Sequence, residues 1–428
     1  MKPCYFGTDG IRGAAYEPPL TIPDVMRWGA AWAEVARCHG VESLLLGWDP
    51  RESSLAMAEA FASGAERRIT VRALGMQPTP AIALKVASTP GAWGVVVSAS
   101  HNPPADNGLK GLDGSGEKLA EDIEEQVEAA YRQVGPPGTL RPLQIEADGA
   151  DAYLAHVDPV QLPDDFRAIV DCAHGATASF VRRALRGEGI RYRGVPADGA
   201  RINVGVGAAD LAGLQAVVKQ TGANIGIAFD GDGDRCMAVA SDGSVVDGDQ
   251  ILWLLVRARI AAGDPPAGVV GTVMSNGGLE AALRRAHVPF VRTAVGDKYL
   301  GRELRARGWD LAAEASGHVI QRRLGPTGDG IATAVTMLRE LLRYRGESRW
   351  NWRFEPWPFR TVNVCVAERR PLERCVLLQQ VIGSIGGLWG DSVRTVVRWS
   401  GTEPKLRLTV EGQDEARVAY ALDALEHA

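Results

Sequence analysis

The sequence lacks the features that mark zinc-binding, secreted, membrane or nucleotide-binding proteins. Its six cysteines are scattered, without a C-x-x-C pair, which argues against a zinc site and a disulfide framework and fits a reducing compartment. No run approaches the roughly eighteen continuous apolar residues that a membrane helix needs, and the first residues carry no apolar signal core. Neither a P-loop nor a G-x-G-x-x-G motif occurs, so we expect no nucleotide cofactor. These absences predict a cytoplasmic chain that makes no use of a membrane.

The chain also lacks a strong charge of either sign. Its formal net charge is −5 over 428 residues, so no global positive field attracts nucleic acid, and we expect no nucleic-acid partner. Cationic residues must therefore be placed locally if an anionic substrate is to be held. The length itself predicts about three or four domains.

What the chain does contain is a repeated strand pattern. An apolar, β-branched stretch ends in a loop rich in Gly, Asp or Ser and leads towards a helical pattern, at residues 93–97, 225–229 and 310–313. Helical spacing of apolar residues predicts helices at 57–68 and 251–262. Strands that alternate with helices predict parallel α/β sheets, whose ligands bind beyond the carboxyl ends of the strands. All three polar loops lie at such ends, so we expect the functional site there.

Composition predicts the domain boundaries. A G-P-P-G stretch at 135–138 indicates the end of a first domain. The sheet pattern gives way to a helix near 246–250, which indicates a second boundary. A Trp- and Pro-rich run at 350–359 is typical of a linker or hinge. The predicted domains are 1–140 and 150–247, both α/β, then 248–349, also α/β, and a final small domain at 358–428.

The most specific motif is the D-G-D-G-D-R loop after the second predicted strand. Three carboxylates at alternating positions can converge on a small hard cation, and Mg²⁺ prefers such oxygen ligands. An EF-hand is not matched, because Arg235 and Ser241 stand where Gly and Glu are needed. An aspartyl-phosphate phosphatase typically has D-x-D-x-T, and Asp234 takes the place of the threonine. A solvated acidic turn is the remaining alternative; the position after a buried strand favours a metal site at Asp230, Asp232 and Asp234.

A second motif, S-A-S-H-N-P, follows the first predicted strand. Ser100 at a strand end, beside His101, has the setting of a nucleophile, although a helix N-cap or a turn is the alternative. No G-x-S-x-G elbow indicates acyl transfer. A serine that works beside a metal triad indicates phosphoryl transfer, with a phosphoserine oxygen completing the metal shell. Ser100 is therefore a candidate nucleophile and a candidate metal ligand.

Two further loops predict substrate contacts. In E-A-S-G-H, Glu314 and Ser316 can hold neighbouring sugar hydroxyls and His318 can act as an acid or base, unless the loop is a polar surface turn. In R-W-S-G-T-E-P, backbone amides, hydroxyls and flanking arginines form a nest for a phosphate, unless it is simply a basic-edged turn. The candidate phosphate-binding residues are Arg398, Ser400, Gly401, Thr402 and Arg407.

With these motifs in this order, the chain resembles the α-D-phosphohexomutase superfamily over nearly its whole length. The resemblance implies three α/β domains and a smaller C-terminal α+β domain around a central cleft. It implies that Ser100 is phosphorylated in the active enzyme, that the aspartates bind Mg²⁺, and that a hexose 1,6-bisphosphate acts as activator. Arg12, Lys110 and His318 match positions proposed for proton transfer or charge stabilisation, and His101 joins them as a catalytic candidate. The implied partner is a small-molecule sugar phosphate, bound by a monomer or a homodimer.

Within the superfamily, F-G-T-D-G-I-R-G at 6–13 and V-G-D-K-Y at 295–299 are most similar to the branch that interconverts glucosamine 6-phosphate and glucosamine 1-phosphate. Ala313, Ala315 and Trp399 depart from that branch, which leaves a phosphoglucomutase or phosphomannomutase acting on neutral hexose phosphates as the alternative. A sugar-phosphate phosphatase and a catalytically silent binding relative are the alternatives from other classes.

The mechanism expected from this resemblance is a double transfer. Phosphorylated Ser100 gives its phosphoryl group to the free sugar hydroxyl, and the bound bisphosphate turns end for end and returns its other phosphate. Lys110 or His318 takes and returns the hydroxyl proton. The C-terminal domain is expected to swing over the cleft and exclude water, which would otherwise hydrolyse the phosphoserine.

Overall fold

The computed structural model describes residues 5–135, 138–146, 150–344, 350–366, 370–399 and 405–428. Within these ranges the chain forms four units, each built on its own main sheet. The first three units are α/β and the last is a smaller α+β unit, as predicted. The bounds predicted between the domains stay a prediction.

The first unit is a six-stranded sheet in the order β1-β2-β6-β5-β3-β4. Strands β4, β3 and β5 run parallel, whereas β6 and β2 run antiparallel to their neighbours. Strand β5 is buried along its whole length, as central strands of parallel sheets are. Its strands are β1 (Phe6–Gly7), β2 (Gly10–Ala14), β3 (Ser43–Trp48), β4 (Thr70–Met76), β5 (Ala92–Val97) and β6 (Asp106–Leu112), and its helices are α1 (Ile22–Cys38), α2 (Ser54–Ala65), α3 (Thr79–Ala87) and α4 (Glu121–Gln133).

The second unit is a five-stranded sheet in the order β10-β8-β11-β12-β13, with β10, β8 and β11 parallel. A parallel pair, β7 with β9, lies beside it. Its elements are α5 (Ala150–Val157), β7 (Val160–Gln161), β8 (Ala168–Asp171), α6 (Val181–Ala184), β9 (Leu185–Arg186), β10 (Ile190–Arg193), α7 (Ala212–Thr221), β11 (Ile225–Phe229), β12 (Cys236–Ala240) and β13 (Val245–Val246).

The third unit is a four-stranded sheet in the order β15-β14-β16-β17, parallel except for β17. Its elements are α8 (Gly248–Ala261), β14 (Val269–Thr272), α9 (Gly277–Arg285), β15 (Phe290–Thr293), α10 (Asp297–Arg307), β16 (Leu311–Ala313), β17 (Val319–Gln321) and α11 (Gly330–Leu341).

The fourth unit is a three-stranded antiparallel sheet with β20 in the middle. Its elements are β18 (Phe359–Cys365), α12 (Val376–Trp389), β19 (Val393–Trp399), β20 (Lys405–Gly412) and α13 (Glu415–Glu426). The unit docks on the third one, because the Arg394 guanidinium donates to the carbonyl oxygens of Val273 and Ser275.

The predicted elements are present, with shifted ends. The strand predicted at 225–229 matches β11 at both ends, and those predicted at 93–97 and 310–313 match β5 and β16 to within one residue. Helix α8 begins at Gly248 rather than at 251. The cause is Asp247, whose side chain accepts a hydrogen bond from the Gln250 amide at 2.9 Å and so caps the helix before its apolar periodicity begins.

The second and third units share one continuous hydrophobic core, which also takes in the segment predicted as a linker. Trp350, Trp352 and Phe354 are all buried, and the indole of Trp253 on α8 donates to the Trp352 carbonyl at 2.9 Å. Burial of large aromatic side chains holds this segment against α8. None of the helices within the described ranges has the length and apolar character needed to cross a bilayer.

Helices α1 and α2 pack so closely that their backbones touch. A Cβ atom at Gly29 would overlap the carbonyl oxygen of Phe61, and one at Gly64 would overlap that of Met26. Close helix packing on this unit therefore requires glycine at both positions.

This packing predicts opposite effects of two Gly→Ala changes within helices. Gly29→Ala should destabilise the protein by about 1–3 kcal/mol through overpacking. Gly383→Ala in α12, where an added Cβ meets nothing within 4 Å, should stabilise its helix by about 0.5–1 kcal/mol. Thermal unfolding of both variants checks this, and an unchanged melting temperature for Gly29→Ala would contradict the packing described.

Candidate active site

The three polar loops that follow buried strands meet in one place. Ser100 follows β5, Asp230 follows β11, and Glu314 follows β16, so each unit of the α/β part contributes a loop from a strand end. The Ser100 hydroxyl donates a hydrogen bond to Asp230 Oδ2 at 2.6 Å. His318 Nδ1 lies 3.7 Å from Asp234 Oδ2. Residues that are far apart in the sequence therefore form one buried polar cluster.

Ser100 is held in an unusual backbone conformation. Its φ is 51°, the left-handed region that residues with a Cβ seldom occupy. The Ser100 amide donates to Ser98 Oγ at 2.9 Å, and Ser98 in turn donates to Asp49 Oδ2 at 2.6 Å. Strain of this kind persists where the surroundings fix it, and it aims the Ser100 hydroxyl at the aspartates.

Arg51 fixes the carbonyl side of the same loop. This buried guanidinium uses all five of its N–H groups, one of them on Asp49 Oδ2 at 2.9 Å. The other four go to backbone carbonyls of the loop that holds the serine. The acceptors are Ser100 at 2.9 Å, Asn102 at 2.9 Å, Asp106 at 2.9 Å, and Pro103. One side chain therefore sets the path of the whole loop.

The second unit holds the Ser100 loop from the other side. Asn203 Nδ2 donates to the carbonyl of Ser100 at 2.9 Å and to that of Asn102 at 3.1 Å. Gly231 allows this approach, since a Cβ there would lie 2.6 Å from the Ser100 carbonyl oxygen. The serine loop and the aspartate loop consequently have a fixed separation.

The aspartate loop has the donor set for a hard cation. One carboxylate oxygen each from Asp230, Asp232 and Asp234 lies within 4.8 Å of the other two. Asp232 Oδ1 and Asp234 Oδ1 are buried with no hydrogen-bond partner among the described residues. Buried carboxylate oxygens are normally satisfied, and a divalent cation would satisfy these. The residues present therefore fit Mg²⁺.

The three carboxylates differ in their electrostatics. Burial raises the pKa of Asp230 well above its usual range, and Asp234 and Asp232 raise it further. Burial also acts to raise the pKa of Asp234, but Lys110, His318 and Arg235 together lower it well below that range. Asp232, which accepts from Lys110 Nζ at 2.7 Å, likewise has a lowered pKa despite its burial.

Lys110 and His318 both lie near Oδ2 of Asp234. Lys110, fully buried on β6, places Nζ 3.8 Å from Asp234 Oδ2. His318 Nε2 accepts from the Gly328 amide at 3.2 Å, which favours the neutral ring. Burial also acts to lower the pKa of His318, but the hydrogen bond and charge of Asp234 raise it above its ordinary value.

Arg12 and His101 lie on the Ser100 side. Arg12 donates to Asn102 Oδ1 at 3.1 Å and pairs with Asp9. His101 Nδ1 lies 3.3 Å from Ser100 Oγ. Burial, and after it the charges of Arg235 and Arg12, lower the pKa of His101 to about 3, so the ring is neutral near pH 7.

The sugar-loop candidates lie at the edge of this cluster. Glu314 is 8% exposed, and its Oε1 accepts from the Gly296 amide at 3.0 Å, while Ser316 is exposed. Their loop begins directly at the end of β16 and returns to His318. A carboxylate and a hydroxyl are therefore presented next to the aspartate loop.

The C-terminal unit contributes two arginines that face each other. Arg398 on β19 is the direct cross-strand partner of Arg407 on β20. Burial lowers the pKa of Arg398, and the Arg407 charge adds to the effect. Within the described residues no carboxylate pairs with either, so the two charges fit an anion. Ser400, Gly401 and Thr402 lie outside the described residues.

Several residues of the site do not stand out in the sequence. Asp297 lies in the V-G-D-K-Y segment that carries the resemblance, but nothing local indicates its contact with Lys118, which is more than 100 residues away. Arg51, Lys118 and Asn203 lie outside the motifs that carry the resemblance. Arg51 and Asn203 bind the serine loop through its backbone carbonyls, which leave no pattern in the sequence.

Four family models match the chain in consecutive segments. They are phosphoglucomutase/phosphomannomutase alpha/beta/alpha domain I at residues 3–136, domain II at 151–243, domain III at 247–352, and the C-terminal domain of the same proteins at 362–428.

Known proteins match it over nearly their full length. A phosphoglucosamine mutase from Alkalilimnicola ehrlichii is 39% identical over 437 residues, covering 99% of this chain and 97% of the relative. Another from Chromohalobacter salexigens is 38% identical, covering 98% and 96%.

Solved structures share the fold. A phosphoglucomutase/phosphomannomutase family protein from Burkholderia thailandensis has a TM-score of 0.81 at 23% identity, covering 99% of this chain and 96% of its own. The phosphoglucomutase parafusin from Paramecium, in its open form, has a TM-score of 0.77 at 17% identity, covering 100% and 93%.

The donor set of the aspartate loop predicts stabilisation by a divalent cation. Mg²⁺ at about one hundred times its dissociation constant should raise the free energy of unfolding by about 2.7 kcal/mol. Asp232→Asn should lose most of this stabilisation, because it removes a carboxylate from the cluster. Thermal melts with and without Mg²⁺ measure the effect. Asp242→Asn, which alters an exposed aspartate of the same unit, is the control; equal Mg²⁺ shifts in both variants would contradict the site.

Proposed function

The chain belongs to the phosphoglucomutase/phosphomannomutase family, and we infer that it interconverts glucosamine 6-phosphate and glucosamine 1-phosphate, as a phosphoglucosamine mutase does. It is an isomerase that acts as an intramolecular phosphotransferase on sugar phosphates. The relatives at 38–39% identity over nearly the full chain support the amino sugar as substrate. The observation that carries the proposal is the 2.6 Å hydrogen bond from the Ser100 hydroxyl to Asp230, within the three-aspartate loop.

In the proposed reaction Ser100 carries the phosphoryl group. The bond between Ser100 Oγ and phosphorus breaks as a bond forms from phosphorus to the free sugar hydroxyl oxygen. His318 takes the proton of that hydroxyl and returns it to the sugar oxygen that is freed in the second transfer. Between the two transfers the Lys110 ammonium compensates the negative charge left in the site, and neutral His101, 3.3 Å from Ser100 Oγ, is a hydrogen-bonding neighbour. The bisphosphorylated sugar then turns round and returns its other phosphoryl group by the reverse steps.

We assign the cation site to Asp230, Asp232, Asp234 and a phosphoserine oxygen at Ser100. A Mg²⁺ held there would neutralise the charge that spreads over the phosphoryl oxygens during transfer. Arg12 and Arg235 are the nearby cationic side chains that add to this neutralisation. The activator is a hexose 1,6-bisphosphate, which phosphorylates Ser100 or replaces an intermediate lost from the site.

The far end of the substrate requires a second anion site. Glu314 and Ser316 hold sugar hydroxyls, and the facing guanidinium groups of Arg398 and Arg407 attract the phosphate that is not reacting. Ser400, Gly401 and Thr402 complete this phosphate site. The site must accept the sugar in two orientations, which favours charge contacts over a close steric fit.

The protein is proposed to act in the cytoplasm, as a monomer or homodimer, without a nucleic-acid partner. Its net charge of −5 makes the local arginines the main attraction for an anionic sugar phosphate. A neutral-hexose mutase remains the second candidate, because Ala315 departs from the amino-sugar branch in the sugar loop.

Substrate rates test the sugar assignment. Initial rates are measured with Mg²⁺ and a hexose 1,6-bisphosphate on glucosamine 6-phosphate, glucose 1-phosphate and mannose 1-phosphate. We expect the glucosamine ester to have a kcat/KM at least about tenfold higher, the discrimination that one differing group supplies. A neutral hexose with the higher kcat/KM would overturn the amino-sugar assignment and leave the reaction type standing.

The hydrogen bonds that Arg51 donates to the serine loop, here called the Arg51 clamp, predict that Arg51→Lys slows the reaction. Lysine has three N–H donors and lacks the planar guanidinium group, so it cannot donate to four carbonyls and Asp49 together. We expect kcat to fall by about ten- to a hundredfold through misplacement of Ser100, while the Mg²⁺ stabilisation is kept.

The matched control is Arg72→Lys, which alters an arginine that pairs with Glu146 at the surface and should keep the native kcat. A native kcat for Arg51→Lys would show that the clamp does not position the nucleophile.

A further inference from the structure

Three charged residues that have no assigned role, Asp9, Lys118 and Asp297, contact one another beside the catalytic candidates. Lys118, which follows β6, pairs with Asp9 and lies 2.7 Å from Asp297 Oδ2 through its Nζ atom. Its side chain is 8% exposed, and Asp297, the first residue of α10, is 10% exposed. A nearly buried ammonium therefore connects a carboxylate of the first unit with one of the third.

These contacts continue into the catalytic candidates. Asp297 Oδ2 lies 4.0 Å from His318 Nε2, and His318 Nδ1 lies 3.7 Å from Asp234 Oδ2. On the other side, Lys110 Nζ lies 3.8 Å from Asp234 Oδ2 and 2.9 Å from Asp9 Oδ2. The six residues thus form a closed ring in which aspartates alternate with lysine or histidine side chains. The ring consists of Asp9, Lys118, Asp297, His318, Asp234 and Lys110.

The ring draws members from all three α/β units. Oxygens of Asp234 and Asp297 and a ring nitrogen of His318 lie within 4.8 Å of one another, so this part of the ring is compact. Lys118 already compensates the charge of Asp297, which disfavours the binding of a metal ion by these three residues. Charges buried to this degree are costly unless each one keeps its partners. The position of every member therefore depends on the members next to it.

Removing Lys118 would change which carboxylates Lys110 and His318 contact. Among the described residues, Asp9 would keep Lys110 and Arg12 as its only cationic partners, and would draw Lys110 away from Asp232. Asp297 would lose its one lysine partner among the described residues and would draw in His318.

We propose that Lys118 and Asp297 are positioning residues for phosphoryl transfer, because they close the charged ring that holds Lys110 and His318 beside the aspartate loop. This inference rests on the proposed mutase reaction and extends it to residues that have no direct contact with Ser100.

The test compares Lys118→Met and Asp297→Asn with the unsubstituted enzyme, using glucosamine 6-phosphate. We expect kcat to fall by about tenfold or more in each, with KM changed by less than about threefold, since the bases are misplaced while the substrate contacts remain. The double variant should lose less than the product of the two single losses, because both residues act through one contact. Lys118→Arg should retain most of the native kcat, because it keeps a cation between two carboxylates.

Lys298→Met is the matched control. Lys298 follows Asp297 directly and pairs with Glu121 at 3.2 Å and Glu124 at 3.4 Å across the same two units, but it lies outside the ring. It should keep the native kcat. Melting temperatures of all variants identify any that unfold, and the near-isosteric Asp297→Asn provides the test if Lys118→Met does not fold.

The outcomes separate this inference from the proposed function. Wild-type protein without mutase activity would overturn the function and the inference together. An active wild type with a native kcat in Asp297→Asn and in folded Lys118→Met would overturn the inference alone, as would equal losses in Lys298→Met. A raised KM with an unchanged kcat would assign the pair to substrate binding instead.

Discussion

The constraint on which the rest of the site depends is the electrostatic crowding of three buried aspartates. Asp230, Asp232 and Asp234 are at most 3% exposed and lie on one short loop. Charges so placed are unfavourable unless they are compensated, and the fold compensates them from every side. Lys110 comes from the first unit, Arg235 from the same loop, and His318 from the third unit. Two of their oxygens still lack a hydrogen-bond partner among the described residues, as they would if they served as ligands of a cation.

The Ser100 loop is fixed beside the same aspartates. Its hydroxyl lies 2.6 Å from Asp230 while Ser100 has a left-handed backbone, a conformation that is unfavourable for a residue with a Cβ. Arg51 and Asn203 stabilise it by binding the loop carbonyls from two different units. Preorganised groups of this kind cost no rearrangement at the moment of reaction, which is how electrostatic catalysis reaches its full effect.

The polar loops of the site could be predicted from the sequence, because each strand end and the loop after it are adjacent in the chain. The strand before Asp230, the Ser100 loop and the Glu314 loop follow from such patterns. The clamp by Arg51, the contact of Asn203 and the ring through Lys118 and Asp297 could not be predicted, since their partners are distant in sequence or are backbone groups. The run at 350–359 shows the same limit: its composition is typical of a linker, yet Trp350, Trp352 and Phe354 are buried in the shared core.

The central claim is that the phosphoryl group on Ser100 passes to a sugar and not to water. The direct measurement is a single turnover of enzyme carrying a radiolabelled phosphoryl group, mixed with glucosamine 6-phosphate, followed by separation of sugar phosphates from inorganic phosphate. Ser100→Ala, which should take up no label, is the control. The account predicts that the label leaves the enzyme in sugar phosphates. Label released chiefly as inorganic phosphate would contradict it and would identify a phosphatase.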